Sequence, residues 1–437
     1  MPVGKLKILF IVPGSGDSFY CGNCFRDSLH AHALQRAGHE VVAMPLYLPL
    51  SSASFAGSAP LFFPAVSLFV EQKYFRKKAM PQWMAKILSS DFALGVAASL
   101  SGTTSSNGLE DMTFSMINGE DSVFLRQAKP LIDWIKNESV QPDIIHLSSS
   151  LIIGIAKAIR REMPRIPLVC SLQDEEVWID CLRPADAQAA WSGIAAGCPY
   201  IDRFTASSDF YRRAAEKRLP NIRGVEVVYP GVEIEKYASE RYPDRPTVGF
   251  FYRMNEANGL DMLAEAFVKL KKENRVAGLR LRVGGGYTSR DRPFLRRVRR
   301  MLRPYRGDVE WFDAYSPAQH AEFYKGISAI SVPLRFEEGT GLYLCEAFAA
   351  GRPAVEPDTG SFREIAGESG ILYSPNSPEA LADAIAALFS EPKRWDECRK
   401  RALRLSAARY NEIVQADRLY EVYTKVISSA FASSPSC

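Results

Sequence analysis

Two glutamates with seven residues between them, Glu338 and Glu346 in "RFEEGTGLYLCEAFAAGRPAV" (335–355), are the residues whose types and spacing point most directly to chemistry. Glu338 precedes the turn-forming Gly339-Thr340-Gly341, and Glu346 lies inside the apolar run 342–350. That run reads as a helix over 341–350, stopped by Gly351. An ionised carboxylate among apolar neighbours needs hydrogen-bond donors. Hydroxyls of a sugar or ribose are one such set. The unpaired N–H groups at a helix start suit a diphosphate. One loop and helix could therefore hold both the charged and the hydroxyl parts of a nucleotide sugar. In the alternative reading, Glu346 pairs with a nearby arginine and Glu338 is solvated.

Two further motifs invite chemistry. "ILFIVPGSGDSFYCGNC" joins a strand to a glycine loop, but Phe19 stands where a third glycine belongs, so a nicotinamide fingerprint is rejected. A ligand beyond the end of this strand is still expected, with Gly16 to Gly22 letting backbone approach it. Cys21 and Cys24 form the one C-x-x-C. No second pair or histidine cluster completes a zinc site, so they read as reduced loop cysteines and no metal is expected.

The elements that must position these residues are short β-rich runs alternating with helical segments. Strands are expected at Lys7–Val12, Glu40–Met44, Asp143–Leu147, Pro167–Leu172 and Arg203–Ala206. A second series starts at Val225–Tyr229 and continues through Thr247–Phe251, Leu279–Val283, Val309–Phe312, Ala329–Val332, Ala354–Glu356 and Ile371–Tyr373. This is an α/β pattern of two Rossmann-like, doubly wound parallel sheets. The domains are expected at 1–240, with a helical insertion at about 50–137, and at 241–410, with a final helix at 411–437 crossing back. Pro230-Gly231 and Ser239–Pro246 read as the linker.

A chain of 437 residues exceeds what one core usually organises. The net charge of +4 suits an anionic ligand or membrane surface and is too small to predict nucleic acid. No apolar run of spanning length and no signal-peptide pattern is seen, so a cytoplasmic location is expected. Peripheral contact with the membrane inner face stays open. It could run through a flap at 60–88, which otherwise reads as part of a helical subdomain with its own core. It could also run through the basic stretch "RDRPFLRRVRRMLRPYR" (290–306), which otherwise reads as a solvated helix face.

"EGTGLYLCEAFAAGRPAV" resembles the donor-site motif of the retaining glycosyltransferases of the GT-B fold, family 4, with its E-x7-E pattern. "DTGSFREIAGESGILYSPNSPEALADAIAALF", "YPGVEIEKY" and "GHEVV" are similar to that family as well. The likeness covers about 220 to 425 and the first 45 residues, and thins from 50 to 140. It implies two sheets facing a cleft. In it Glu338 would meet the donor sugar's hydroxyls, Glu346 the ribose and Arg253 the diphosphate. The turn Gly339-Thr340 leads to Gly341 and Leu342, whose N–H groups would face phosphate. Ala314 and Tyr315 would flank the base, and Gly22 would approach the donor.

Three departures stand out. Asn258 occupies the place of the family's lysine, Ser148 follows His146 where a second histidine is usual, and Gln173 replaces another. Arg335 is the candidate substitute cation. His146 is carried as a catalytic candidate beside the reading of a packed strand-end histidine.

The resemblance implies an enzyme that moves a sugar from a UDP- or GDP-type donor to an acceptor the sequence does not name. It implies retention at the anomeric carbon and no cofactor. No Asp-x-Asp triplet is present, in keeping with a metal-independent site. The rival reading is a non-catalytic sugar-nucleotide-binding relative that regulates or scaffolds.

Overall fold

The computed structural model describes residues 4–12, 22–46, 114–119, 122–137, 141–239, 242–312 and 319–432. The flap at 60–88 and most of the expected insertion lie outside them. The described residues form two six-stranded sheets whose paired strands are all parallel.

The first sheet has the order β2-β1-β3-β4-β5-β6, from Glu40–Pro45, Lys7–Val12, Ile144–Leu147, Leu168–Leu172, Arg203–Ala206 and Val225–Val227. Its inner strands are buried along their length, as "KILFIV" and "IIHL" illustrate. Continuous apolar runs are what a parallel sheet covered on both faces requires. On one face Ile8, Phe10 and Val12 pack with Leu34 of helix Gly22–Arg36 and with Leu419, Val422 and Val426 of helix Glu412–Ala432. On the other, Leu9, Ile11 and Leu147 pack with Leu131 and Ile135 of helix Ser122–Asn137 and Ile155 of helix Gly154–Glu162.

The second sheet has the order β12-β11-β10-β7-β8-β9. Its strands are Gly370–Tyr373, Ala354–Pro357, Ala329–Ile330, Thr247–Phe251, Arg280–Gly284 and Val309–Trp311. The order reverses between β7 and β10, so loops leaving their carboxyl ends diverge and leave a crevice where ligands of such sheets bind.

Three expectations change. Val225–Val227 is the edge of the first sheet, paired with β5, and does not begin the second series. The helix at 122–137 does not belong to an insertion: it is the crossover from β2 to β3 and buries Ala128, Leu131, Ile132 and Ile135 in the core. The chain passes from one compact unit to the other between Val228 and Tyr229, beside Pro230-Gly231 and ahead of the expected boundary at 240, with Tyr237 already buried in the second unit. The chain rejoins the first unit at Ala416.

Candidate functional site

The switch point of the second sheet gathers two loops. Tyr252 and Arg253 follow β7, and residues 331–341 follow β10. Glu338 lies in the latter and is 3% exposed. Its Oε1 accepts the backbone N–H groups of Thr340 at 2.9 Å and Gly341 at 3.1 Å. Its Oε2 accepts the hydroxyl of Tyr252 at 3.2 Å. Burial raises the carboxyl's pKa, and these three donors work in the opposite direction.

Two glycines shape this turn. Gly360 (φ +57°) lies so close that a Cβ there would come within 2.7 Å of the Glu338 nitrogen, and the next residue, Ser361, donates its N–H to the Glu338 carbonyl at 2.8 Å. Gly341 (φ +62°) is the cap residue of helix Leu342–Ala349 and takes a left-handed conformation that other residues adopt at a cost. The N–H of Gly341, expected to face phosphate, is instead used by Glu338.

Glu346 is fully buried in that helix. Its Oε1 accepts the Tyr237 hydroxyl at 2.8 Å and lies 3.0 Å from Nδ1 of His320, and Oε2 accepts the Tyr324 hydroxyl at 2.6 Å. The donor set for this acid therefore comes from within the protein. The expectation that ligand hydroxyls are needed to satisfy it is corrected.

The cationic groups are also committed. Arg253 sits with Nε 3.1 Å from Asp291 Oδ2 and Nη2 3.1 Å from Thr288 Oγ1, with a side chain 30% exposed. Asp291 is itself fixed by the Thr288 N–H and hydroxyl, both at 2.8 Å, so the guanidinium is held at one edge. Asn258 donates Nδ2 to the Arg253 carbonyl at 2.7 Å and is 5% exposed; it braces the loop after β7. Arg335 pairs with both oxygens of Asp261 at 2.8 and 3.0 Å and also bonds the Glu256 carbonyl. It is not a free substitute cation.

In the first unit His146 is 2% exposed, stacked on Phe10 at 4.7 Å. Its Nδ1 lies 2.6 Å from the Tyr423 hydroxyl and its Nε2 2.8 Å from Ser171 Oγ. Burial, with His30 and Arg26 adding repulsion, lowers its pKa well below the usual range. It is a packed strand-end histidine, and its candidacy as a catalytic residue is withdrawn. Gln173 bonds Asp27 Oδ1 at 2.8 Å and the Ser148 carbonyl, linking β3 to β4. Gly22 opens helix Gly22–Arg36, while Ala314 and Tyr315 lie outside the described residues.

Sequence reasoning missed Tyr252 and Glu356. Tyr252 adjoins Arg253 at the end of an apolar strand, a signal available in "GFFYRMN". Glu356 is fully buried in β11, and both its oxygens face the Val332 N–H, at 3.1 and 3.2 Å. Burial pushes its pKa well above the usual range. Among the described residues no three metal-ligating side chains converge.

Two family models match the chain: Glycosyl transferases group 1 over residues 245–391 and Glycosyltransferase Family 4 over residues 113–236. The chain belongs to the group 1, family 4 glycosyltransferases of the GT-B fold. The group 1 match contains the whole switch-point site. A similar curated glycosyltransferase is the GDP-mannose-dependent alpha-(1-6)-phosphatidylinositol monomannoside mannosyltransferase of Mycolicibacterium smegmatis. It is 27% identical over 229 residues, which cover 45% of this chain and 53% of that protein. The chain spans about half or less of the curated relatives it matches. Among solved structures, sucrose-phosphate synthase from Thermosynechococcus elongatus superposes with TM-score 0.70 at 15% identity, covering 97% of this chain and 100% of that one. Anabaena HepE in complex with UDP gives 0.66 at 15% identity, covering 96% and 100%. Likeness at this identity speaks for the fold.

Proposed function

We propose that this protein transfers a sugar from a nucleotide-diphosphate sugar of the UDP or GDP type to a hydroxyl of an acceptor. The observation that carries the reading is Glu338: a nearly buried carboxylate at the switch point, fixed by Thr340, Gly341 and Tyr252 beside Arg253. Oxygens already held, Oε1 by backbone N–H groups and Oε2 by the Tyr252 hydroxyl, are pre-aimed, and a sugar hydroxyl donating to them loses little to reorganisation. Family membership supports the donor class. So do the GDP-mannose dependence of the mycobacterial relative and the UDP bound to HepE.

In this reading the bond from the anomeric carbon to the donor phosphate breaks and its electron pair stays on the phosphate oxygen. The acceptor oxygen bonds the same face of that carbon, and its proton passes to the departing phosphate. Configuration is thus retained, and no metal takes part. Arg253, anchored at one edge by Asp291, is the guanidinium assigned to the developing phosphate charge.

The test is nucleotide release from UDP- and GDP-sugars in the presence of candidate acceptors, with or without chelator. Release that survives chelation and falls with Glu338→Gln supports the assignment. A folded protein that binds no nucleotide sugar rejects it. A second reading is favoured by Asn258 and Arg335, since both groups near the loop are committed to structure. It makes the protein a donor-binding relative without transfer. Tight donor binding without turnover distinguishes it.

A further inference from the structure

Helix Arg292–Leu302 divides into two faces. Phe294, Leu295, Val298 and Leu302 are buried, and the helix packs on helix Leu260–Lys272. On the outside Arg292, Arg296, Arg300 and Arg303 recur at intervals of four, four and three, a spacing that draws one row along a helix. All four are exposed, and Arg306 continues past the end of the helix. Among the described residues none of these five has a carboxylate in ion-pair range. Their neighbour Arg297 reaches Glu256 at 3.3 Å, Arg299 lies over the Trp311 ring at 4.6 Å, and the stretch's one acid, Asp291, is taken by Arg253.

Charge is concentrated here to a degree that the chain's total conceals. Residues 290–306 carry eight arginines and one aspartate, a formal +7 in a chain of +4, so the remainder nets −3. A row of exposed like charges raises its own electrostatic energy unless it faces an opposite charge. The apolar face is occupied by the core, so the helix has no greasy side to insert into a bilayer. The aromatic residues of the stretch are likewise unavailable for stacking on bases: Phe294 is buried, and half-buried Tyr305 packs edge-on against Phe267 at 6.0 Å. What remains is a straight row of guanidiniums, each able to take a phosphate oxygen pair.

We propose that this arginine row docks the protein on an anionic lipid surface, by charge and without insertion. The contact is independent of the donor site and of the acceptor's identity. Each arginine close to an anionic bilayer contributes about fivefold in binding. Removing three therefore costs roughly a hundredfold.

Co-sedimentation of the full chain with vesicles tests it, comparing phosphatidylcholine alone with phosphatidylcholine containing phosphatidylglycerol. Binding is expected only to the phosphatidylglycerol vesicles at low salt, and is expected to weaken steeply as ionic strength rises. The triple variant Arg292→Gln, Arg296→Gln, Arg300→Gln is expected to lose roughly a hundredfold in binding with an unchanged melting temperature, while the matching triple lysine variant keeps most of it. Equal binding by the glutamine variant overturns the proposal, as does equal binding to neutral vesicles. Tighter binding to a random-sequence duplex DNA than to the anionic vesicles at the same salt overturns it in favour of nucleic acid.

Discussion

Arg335 and Asp261 face each other with two parallel hydrogen bonds, Nη1 to Oδ1 at 2.8 Å and Nη2 to Oδ2 at 3.0 Å. Asp261 stands in the first turn of helix Leu260–Lys272, where a negative charge is favourable. The pair ties the loop after β10 to the helix that follows β7, and so holds the two halves of the switch point in register. Arg335 is placed by this contact rather than offered to a ligand.

Arg335→Gln is therefore expected to leave donor affinity within about twofold and to cost about 1 kcal/mol or less of stability. The side chain is 37% exposed, and solvent screens such pairs. A double-mutant cycle with Asp261→Asn under urea checks the coupling, and a nucleotide titration checks affinity. A large affinity loss with intact stability would return this arginine to the phosphate.

Glu338→Gln keeps one acceptor for the turn and replaces the other with a donor. Turnover should fall about a hundredfold or more, the scale for losing a preorganised polar group, with the melting temperature little changed. Tyr252→Phe, which removes only the hydroxyl at 3.2 Å, should give a smaller loss. Equal kinetics for all three proteins in single-turnover assays would remove Glu338 from the site.

Asn258→Lys restores the charge the family places there, yet it should not raise activity. The amide is 5% exposed and bonds the Arg253 carbonyl, so the variant leaves that acceptor short and buries an ammonium. Destabilisation of about 1–3 kcal/mol is expected. Denaturant unfolding and kcat together check it; a faster, equally stable enzyme contradicts the bracing role.

Tyr324→Phe removes the donor to Glu346 Oε2 at 2.6 Å. A hydrogen bond to a buried charged group is worth about 1.5–3 kcal/mol, and the loss should appear as stability. Donor affinity should stay as it was, because the acid's other partners, Tyr237 and His320, also come from the protein. A selective loss of nucleotide binding would show that Glu346 reaches the ligand.

Asp27 gives a pH signature. Burial pushes its pKa from 3.8 up to about 6, with Arg26, Gln173 and Ser148 acting in the opposite direction. Between those values the folded state binds more protons than the unfolded one, so this group's contribution is fully present below about pH 4 and is lost as pH rises to about 6. The difference amounts to about 3 kcal/mol. Asp27→Asn should flatten that part of the stability profile in urea melts taken across the range; an unchanged slope contradicts it.

All twelve strands of the described residues could be read in the sequence; inner ones such as Lys7–Val12 and Ile144–Leu147, covered on both faces, write themselves as nearly continuous apolar runs. The Glu338 loop and the helix after it were legible for a similar reason: Gly341 and Gly351 take left-handed conformations that mark the ends of the segment locally. Membership of a sheet was not local. Val225–Val227 looks like any other short strand, and only its pairing with β5 assigns it.

Residue types and spacing by themselves determined that two parallel sheets form and that a buried acid in "LYLCEAFA" must be satisfied by something. Which donors satisfy it was decided by tertiary structure, since Tyr237, His320 and Tyr324 lie 109, 26 and 22 residues away along the chain. The same holds for Arg335, whose partner Asp261 is 74 residues distant. Charge and polarity are properties of a residue, but their compensation is a property of distance, and distance between remote residues exists only once the chain has folded.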